Sequence, residues 1–206
     1  MNHKEIKIIG IKTSNTELVD IAKSWVVISL AFALVYTNIS LFTGNVSKMV
    51  SINFIVMFGV ALFTAGLGFL LHELAHKFVA QRYGCMAEFR AFDQMLYLAL
   101  ILAFLSGFIF AAPGAVMISG MITRKENGLI SVAGPATNYV LAAIFLGLNF
   151  AFPLWGFVFL TGYSINAWLG LFNMIPFGNF DGSKIWAWNI PIWVGMVALG
   201  VFYLWI

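Results

Sequence analysis

Long uncharged stretches separated by short polar clusters set the pattern of this 206-residue chain. Apolar runs at residues 24–42, 52–83, 131–150 and 156–174 each have the length of a membrane-crossing helix. A hydrocarbon core of about 30 Å takes roughly 20 residues at a rise of ~1.5 Å each. A final run at 191–206 is short for a perpendicular span and is expected to be tilted or incomplete. The run at 95–112 is equally apolar and is broken by Pro113-Gly114. Partial alternation and β-branched content suggest short strands at residues 4–12 (ending near Gly10), 88–92 and 115–119. Residues 124–128 are expected to form a polar turn, and residues 176–182 a loop that begins where Pro176 stops a helix. The expected fold is an α-helical polytopic membrane protein. It has about five to six transmembrane or re-entrant segments and a few short β-strands.

Composition reinforces this. Hydrophobic residues make up 62% of the chain and charged residues 9%, more apolar surface than a soluble domain of this size can bury. One membrane-embedded domain over residues 1–206 is expected, with no soluble appended domain. The formal charge of +3 is small and not gathered in one patch, so a nucleic-acid partner is not expected; the partner to consider is the lipid bilayer. Cys85 is the only cysteine, which excludes an intrachain disulfide and a thiolate metal cluster. Residues 1–23 are polar and do not read as a signal peptide.

Basic residues suggest an orientation in the cell membrane. Lys77, Arg82 and Arg90 mark where the second span leaves the bilayer, and Lys48 is the only basic residue in the opposite loop. The positive-inside rule then places the Arg82–Arg90 side in the cytoplasm. A re-entrant excursion at 95–112, rather than a full crossing, keeps Arg124, Lys125 and Asn138 on that same side.

The chemistry lies in the second span, where His72-Glu73-Leu74-Ala75-His76 interrupts an otherwise apolar run. Histidines at i and i+4 share one helix face about one turn, ~6 Å, apart, which suits two ligands of one tetrahedral zinc. Glu73 stands roughly 100° round the helix from His72, beside a metal but not forced to coordinate it. A structural histidine pair is the competing reading, yet three polar groups in hydrocarbon cost a few kcal/mol unless something pairs with them. His72 lies ten residues before Arg82, ~15 Å inside the boundary by helical rise. A catalytic zinc needs a third protein ligand and an open position for water. Only His3 remains among the histidines, and the acidic residues within or beside the apolar region are Glu73, Glu88, Asp93 and Asp181. Asp181 precedes Gly182 in the loop after Pro176 and is the favoured ligand, the alternative being a helix cap. Asp93 reads as a solvated interfacial carboxylate near Arg90.

The motifs His72-Glu73-Leu74-Ala75-His76, Gly134-Pro135-Ala136-Thr137-Asn138 and Phe172-Asn173-Met174-Ile175-Pro176, followed by Asp181-Gly182, occur in that order. Together they resemble the site-2 protease family of intramembrane zinc metalloproteases. The resemblance implies Zn2+ held by His72, His76 and Asp181, with Glu73 as catalytic base. It also implies a role for Asn138 near the reacting carbonyl, a supporting role for Asn173, and a transmembrane protein as substrate. Asn179 and Ser183 depart from the proline and glycine common in the family, and 95–112 reads as an insertion. The rival readings are a membrane zinc or metal transporter and a catalytically silent relative that binds membrane proteins. A transporter needs exchangeable polar sites on both sides, whereas these residues gather on one.

Overall fold

The computed structural model describes residues 6–8, 11–109 and 114–206. Two short antiparallel strands, β1 (Ile6–Ile8) and β2 (Ile11–Thr13), replace the single strand expected over residues 4–12, with Ile8 opposite Ile11; Gly10 lies outside the described residues. Lys12 and Gln81 exchange two hydrogen bonds of 3.0 and 2.9 Å, fastening β2 to the second span.

Helix α1 (Asn15–Tyr36) starts nine residues before the apolar run does. The Ser14 hydroxyl caps it, accepting from the Glu17 amide at 3.1 Å. Glu17 itself is fully buried against Lys77, with Nζ and Oε2 2.5 Å apart. The expectation that Lys77 marks a membrane boundary is therefore corrected: it points inward and is 1% exposed. Each charge satisfies the other at a depth where either alone would be costly. Removing one partner of a buried ion pair typically costs about 3–5 kcal/mol. Asp93 is exposed as expected, but pairs with Lys23 rather than Arg90.

The second span is one rod of 31 residues, Ile52–Arg82. It consists of α2 (Ile52–Ala61), a wide π-type turn at Leu62–Gly66, and α3 (Leu67–Arg82). The wide turn sits against α1, where the Trp25 indole donates to the Leu62 carbonyl at 3.0 Å. Gly66 allows the approach, since a Cβ there would run into Trp25 and Ser29.

Strands β3 (Met86–Ala91) and β4 (Gly114–Ser119) pair antiparallel, from Met86 opposite Ser119 to Ala91 opposite Gly114. Helix α4 (Asp93–Ser106) leaves from β3 and spans ~21 Å over its 14 residues, less than a hydrocarbon core. Because Ala91 and Gly114 are register partners, the chain between them begins and ends at one place. That is the geometry of an excursion rather than a crossing.

Helix α5 (Arg124–Ala151) begins seven residues earlier than the apolar pattern, so the expected polar turn at 124–128 is helical. A reciprocal cap explains it: the Thr123 hydroxyl accepts from the Glu126 amide at 3.2 Å, and Glu126 accepts from the Thr123 amide at 2.7 Å. After a short turn at Pro153–Trp155 come α6 (Gly156–Phe172), the short α7 (Asp181–Trp188) and α8 (Ile190–Trp205). Helix α5 packs against α3, α6 and α7. Tyr139 and Tyr163 fasten α8 to the bundle through the carbonyls of Met196 and Tyr203. Among the described residues, four segments are long and apolar enough to span a bilayer, and large apolar side chains such as Phe63, Leu154 and Phe202 face outward. The protein is an α-helical polytopic membrane protein.

In a Cys85→Ala background, cysteines at Arg82 and Lys125 should label from one membrane face and a cysteine at Lys48 from the other. Labelling of Lys125→Cys together with Lys48→Cys would mean that residues 92–113 cross.

Candidate metal centre

Two helices deliver three donor atoms to one point. Helix α3 carries His72 and His76 one turn apart, and α7 presents Asp181 from its first turn. All three side chains are buried. The two Nε2 atoms are 3.0 Å apart, and Asp181 Oδ2 lies 3.2 Å from His72 Nε2 and 3.1 Å from His76 Nε2. This is nearly an equilateral triangle. Zinc–donor bonds of ~2.0–2.1 Å in a tetrahedron place donors ~3.3 Å apart, so the triangle matches one face of such a site. The fourth vertex remains for water.

The outer nitrogen of each ring states which atom carries the proton. His72 Nδ1 is 2.6 Å from Asn138 Oδ1, and His76 Nδ1 is 2.7 Å from the Ile130 carbonyl. Both partners are acceptors, so each Nδ1 donates and each neutral ring turns the Nε2 lone pair inward. Two imidazole lone pairs and a carboxylate oxygen at this spacing suit a cation among them. The opposite wall agrees. Gly134 of α5 borders the triangle, and a Cβ there would meet both Nε2 atoms. His72, His76 and Asp181 thus form a possible metal site, and Zn2+ suits its two nitrogens and one oxygen.

Asp181 is positioned by the loop before it. The Gly182 amide donates to the Asn173 carbonyl at 2.7 Å, and the Trp193 indole donates to the Met174 carbonyl, also at 2.7 Å. A Cβ on Gly182 would collide with the Met174 carbonyl, so glycine is required beside Asp181. Asp181 is the first residue of α7 rather than its cap, which is Phe180. Lys184, one turn on, faces the second Asp181 oxygen at 3.7 Å and donates to the Asn179 carbonyl at 3.3 Å.

Glu73 stands outside the donor triangle, lining the same cavity, and its Oε2 accepts from the Val116 amide of β4 at 3.2 Å. Asn138 is fully buried, and its Nδ2 donates to the Gly68 carbonyl at 3.2 Å and to Asn166 Oδ1 at 2.9 Å. Both amide hydrogens are therefore spent. Asn138, for which the resemblance implies a role near the reacting carbonyl, turns its oxygen to His72 in this arrangement. Asn166 was not singled out by the sequence pattern, although an asparagine inside an apolar span is itself a signal. Its Nδ2 returns to the Gly162 carbonyl at 2.8 Å.

The donors and Glu73 open onto a cavity of about 740 Å3, lined also by residues of β4 and by Trp168, Phe172 and Phe180. That volume and largely apolar lining fit a binding cleft.

Replacing Gly134 by Ala favours the helix by ~1 kcal/mol on intrinsic propensity, yet it puts a methyl group against the donors. Stoichiometric zinc should be lost from purified Gly134→Ala and Asp181→Ala proteins, as read by elemental analysis, while both stay helical by circular dichroism. Undiminished zinc in Asp181→Ala would remove it from the ligand set.

Comparison with known proteins agrees with the geometry. The chain is 39% identical over 193 residues to a protein of Methanocaldococcus jannaschii named "Putative zinc metalloprotease MJ0611", covering 91% of this chain and 93% of that protein. It is 30% identical over 131 residues to Rip2 of Mycolicibacterium smegmatis, which carries the same description; the match covers 54% of this chain and 50% of Rip2. It is 29% identical over 119 residues to Zinc metalloprotease MJ0392 of M. jannaschii, covering 56% of this chain and 30% of that protein. No family model matches the chain. No solved structure matches it.

Proposed function

Since the chain belongs to the site-2 protease-like family of zinc metalloproteases, we propose that it acts within the bilayer, hydrolysing peptide bonds in or near transmembrane segments of membrane-protein substrates. The observation that carries this reading is the position of the donor triangle. Its two histidines lie inside a 31-residue apolar span, and the cleft beside them is walled by apolar side chains. A soluble peptide has little reason to enter such a cleft, whereas a transmembrane segment is already in its surroundings.

His72, His76 and Asp181 would hold Zn2+, which would supply a bound water of lowered pKa and a Lewis acid for the substrate carbonyl. The remaining work falls to the chain. Glu73, beside the ligands and not among them, takes the water's proton and passes it to the leaving amine. Asn138 acts through His72, fixing its ring and tautomer. Asn166 and the Gly68 carbonyl in turn hold Asn138. Helical substrates hide their peptide bonds and must unwind to react. Strand β4 borders the cleft and offers an edge on which an unwound segment can pair. Arg82, Arg90 and Lys125 lie on the site's side of the spans, and the positive-inside rule makes that side cytoplasmic in the cell membrane.

The test is Glu73→Gln. Glutamine keeps the shape and still accepts from the Val116 amide, but it cannot take a proton. At equal zinc content, cleavage of a helix-destabilised transmembrane substrate in liposomes should fall by about 10²–10⁴. Equal cleavage by both proteins would defeat the mechanism, and no cleavage by either across a broad panel would defeat the proposed activity.

A further inference from the structure

The Glu17–Lys77 pair does more than satisfy two charges. Glu17 has a second oxygen, Oε1, and it accepts from the backbone amide of Phe89 in β3 at 2.8 Å. The Thr13 hydroxyl also donates to Oε2, at 2.7 Å. A residue at the base of α1 thus holds one particular amide of β3. Phe89 is the register partner of Val116. Both of their amides are used outside the hairpin, Phe89 by Glu17 and Val116 by Glu73. They therefore form a non-hydrogen-bonded pair of the antiparallel ladder, each N–H pointing outward. The hairpin is gripped by a carboxylate on each edge: one structural, the other the group that lines the cleft.

What this arrangement fixes is the place of the hairpin. Glu17 holds β3 with the Phe89 amide turned away from β4, so the residue opposite Phe89 presents its own amide on the far edge, where Glu73 accepts it. Gly114 fixes which residue that is, because a Cβ at its position would run into the Phe89 ring and the Arg90 carbonyl, so Ala115 cannot take its place. Lys77, the residue after the second histidine, fixes Glu17 relative to α3 itself. The anchor and the donor triangle are thereby referred to one helix.

We propose that Glu17 is a positioning residue: through the Phe89 amide it holds the β3–β4 hairpin in place, and so brings the Val116 amide to Glu73 and the outer edge of β4 beside the cleft. The catalytic consequence rests on the proteolytic reading above; the placement of the Val116 amide does not.

Two double variants separate the anchor from the charge pair. Both Glu17→Gln/Lys77→Met and Glu17→Met/Lys77→Met remove the two charges with side chains of similar length. Only the first keeps an oxygen to accept from Phe89. Residue-resolved hydrogen exchange in detergent, on zinc-loaded and zinc-stripped protein, reads the Val116 amide directly. Exchange there should stay slow with glutamine and quicken at least tenfold with methionine. At matched zinc, kcat for a transmembrane substrate should hold with glutamine and fall at least tenfold with methionine; a misplacement of ~1 Å can cost on the order of 10²-fold. Equal Val116 exchange in the two variants would overturn the proposal. So would faster exchange with unchanged kcat, or a methionine variant that fails to fold while the glutamine variant folds, since the anchor would then serve stability alone. If the parent cleaves nothing, the proteolytic reading fails, and the exchange arm still decides whether Glu17 places the Val116 amide.

Discussion

Every polar group carried to membrane depth needs a partner within the protein, because hydrocarbon supplies none. This constraint organises the structure. Lys77 and Glu17 answer each other. Asn138 bridges His72, the Gly68 carbonyl and Asn166, so three helices share one amide. The donor triangle follows the same rule with one difference: its two Nε2 atoms and Asp181 Oδ2 face one another within 3.2 Å, an arrangement that a metal cation among them would satisfy.

The same rule explains why the hairpin β3–β4 sits where it does. A strand edge inside a membrane protein leaves amides and carbonyls unpaired unless side chains cap them. Glu17 and Glu73 do this on opposite edges. Capping by Glu73 ties the position of its carboxylate to the backbone that borders the cleft.

Much of this was legible in the residues, and the reasons differ by element. The i,i+4 histidine spacing is a local property of a helix, so it survives folding unchanged. Asp181 stood out because carboxylates are scarce in an apolar chain, and Gly182 beside it announced a tight approach. The expectation of an excursion at 95–112 came from charge placement; residues 110–112 lie outside the described ones, and the pairing of Ala91 with Gly114 brings the two ends of that stretch together. What escaped was non-local or reciprocal. The Glu17–Lys77 pair joins residues sixty apart, and a lysine near a helix end ordinarily reads as interfacial. The early start of α5 depended on a reciprocal cap at Thr123 and Glu126, hidden in a cluster that reads as a turn. The role of Asn138 turned on which of its atoms were already occupied, a fact that spacing does not contain.

The wide turn at Leu62–Gly66 carries a geometric consequence for the whole second span. A turn of this kind inserts one residue into an otherwise regular helix, and one residue is about 100° of rotation. The two halves of the rod are therefore out of phase. Residues of α2 such as Ile55 and Val56 are exposed, while α3 aims both histidines at the bundle centre. A helix without the inserted residue would keep a single face along its length, and the faces suited to the two halves would not coincide. The extra residue lets one rod be a membrane anchor at one end and a metal-site scaffold at the other. The Trp25 indole on the Leu62 carbonyl marks the seam between those two tasks.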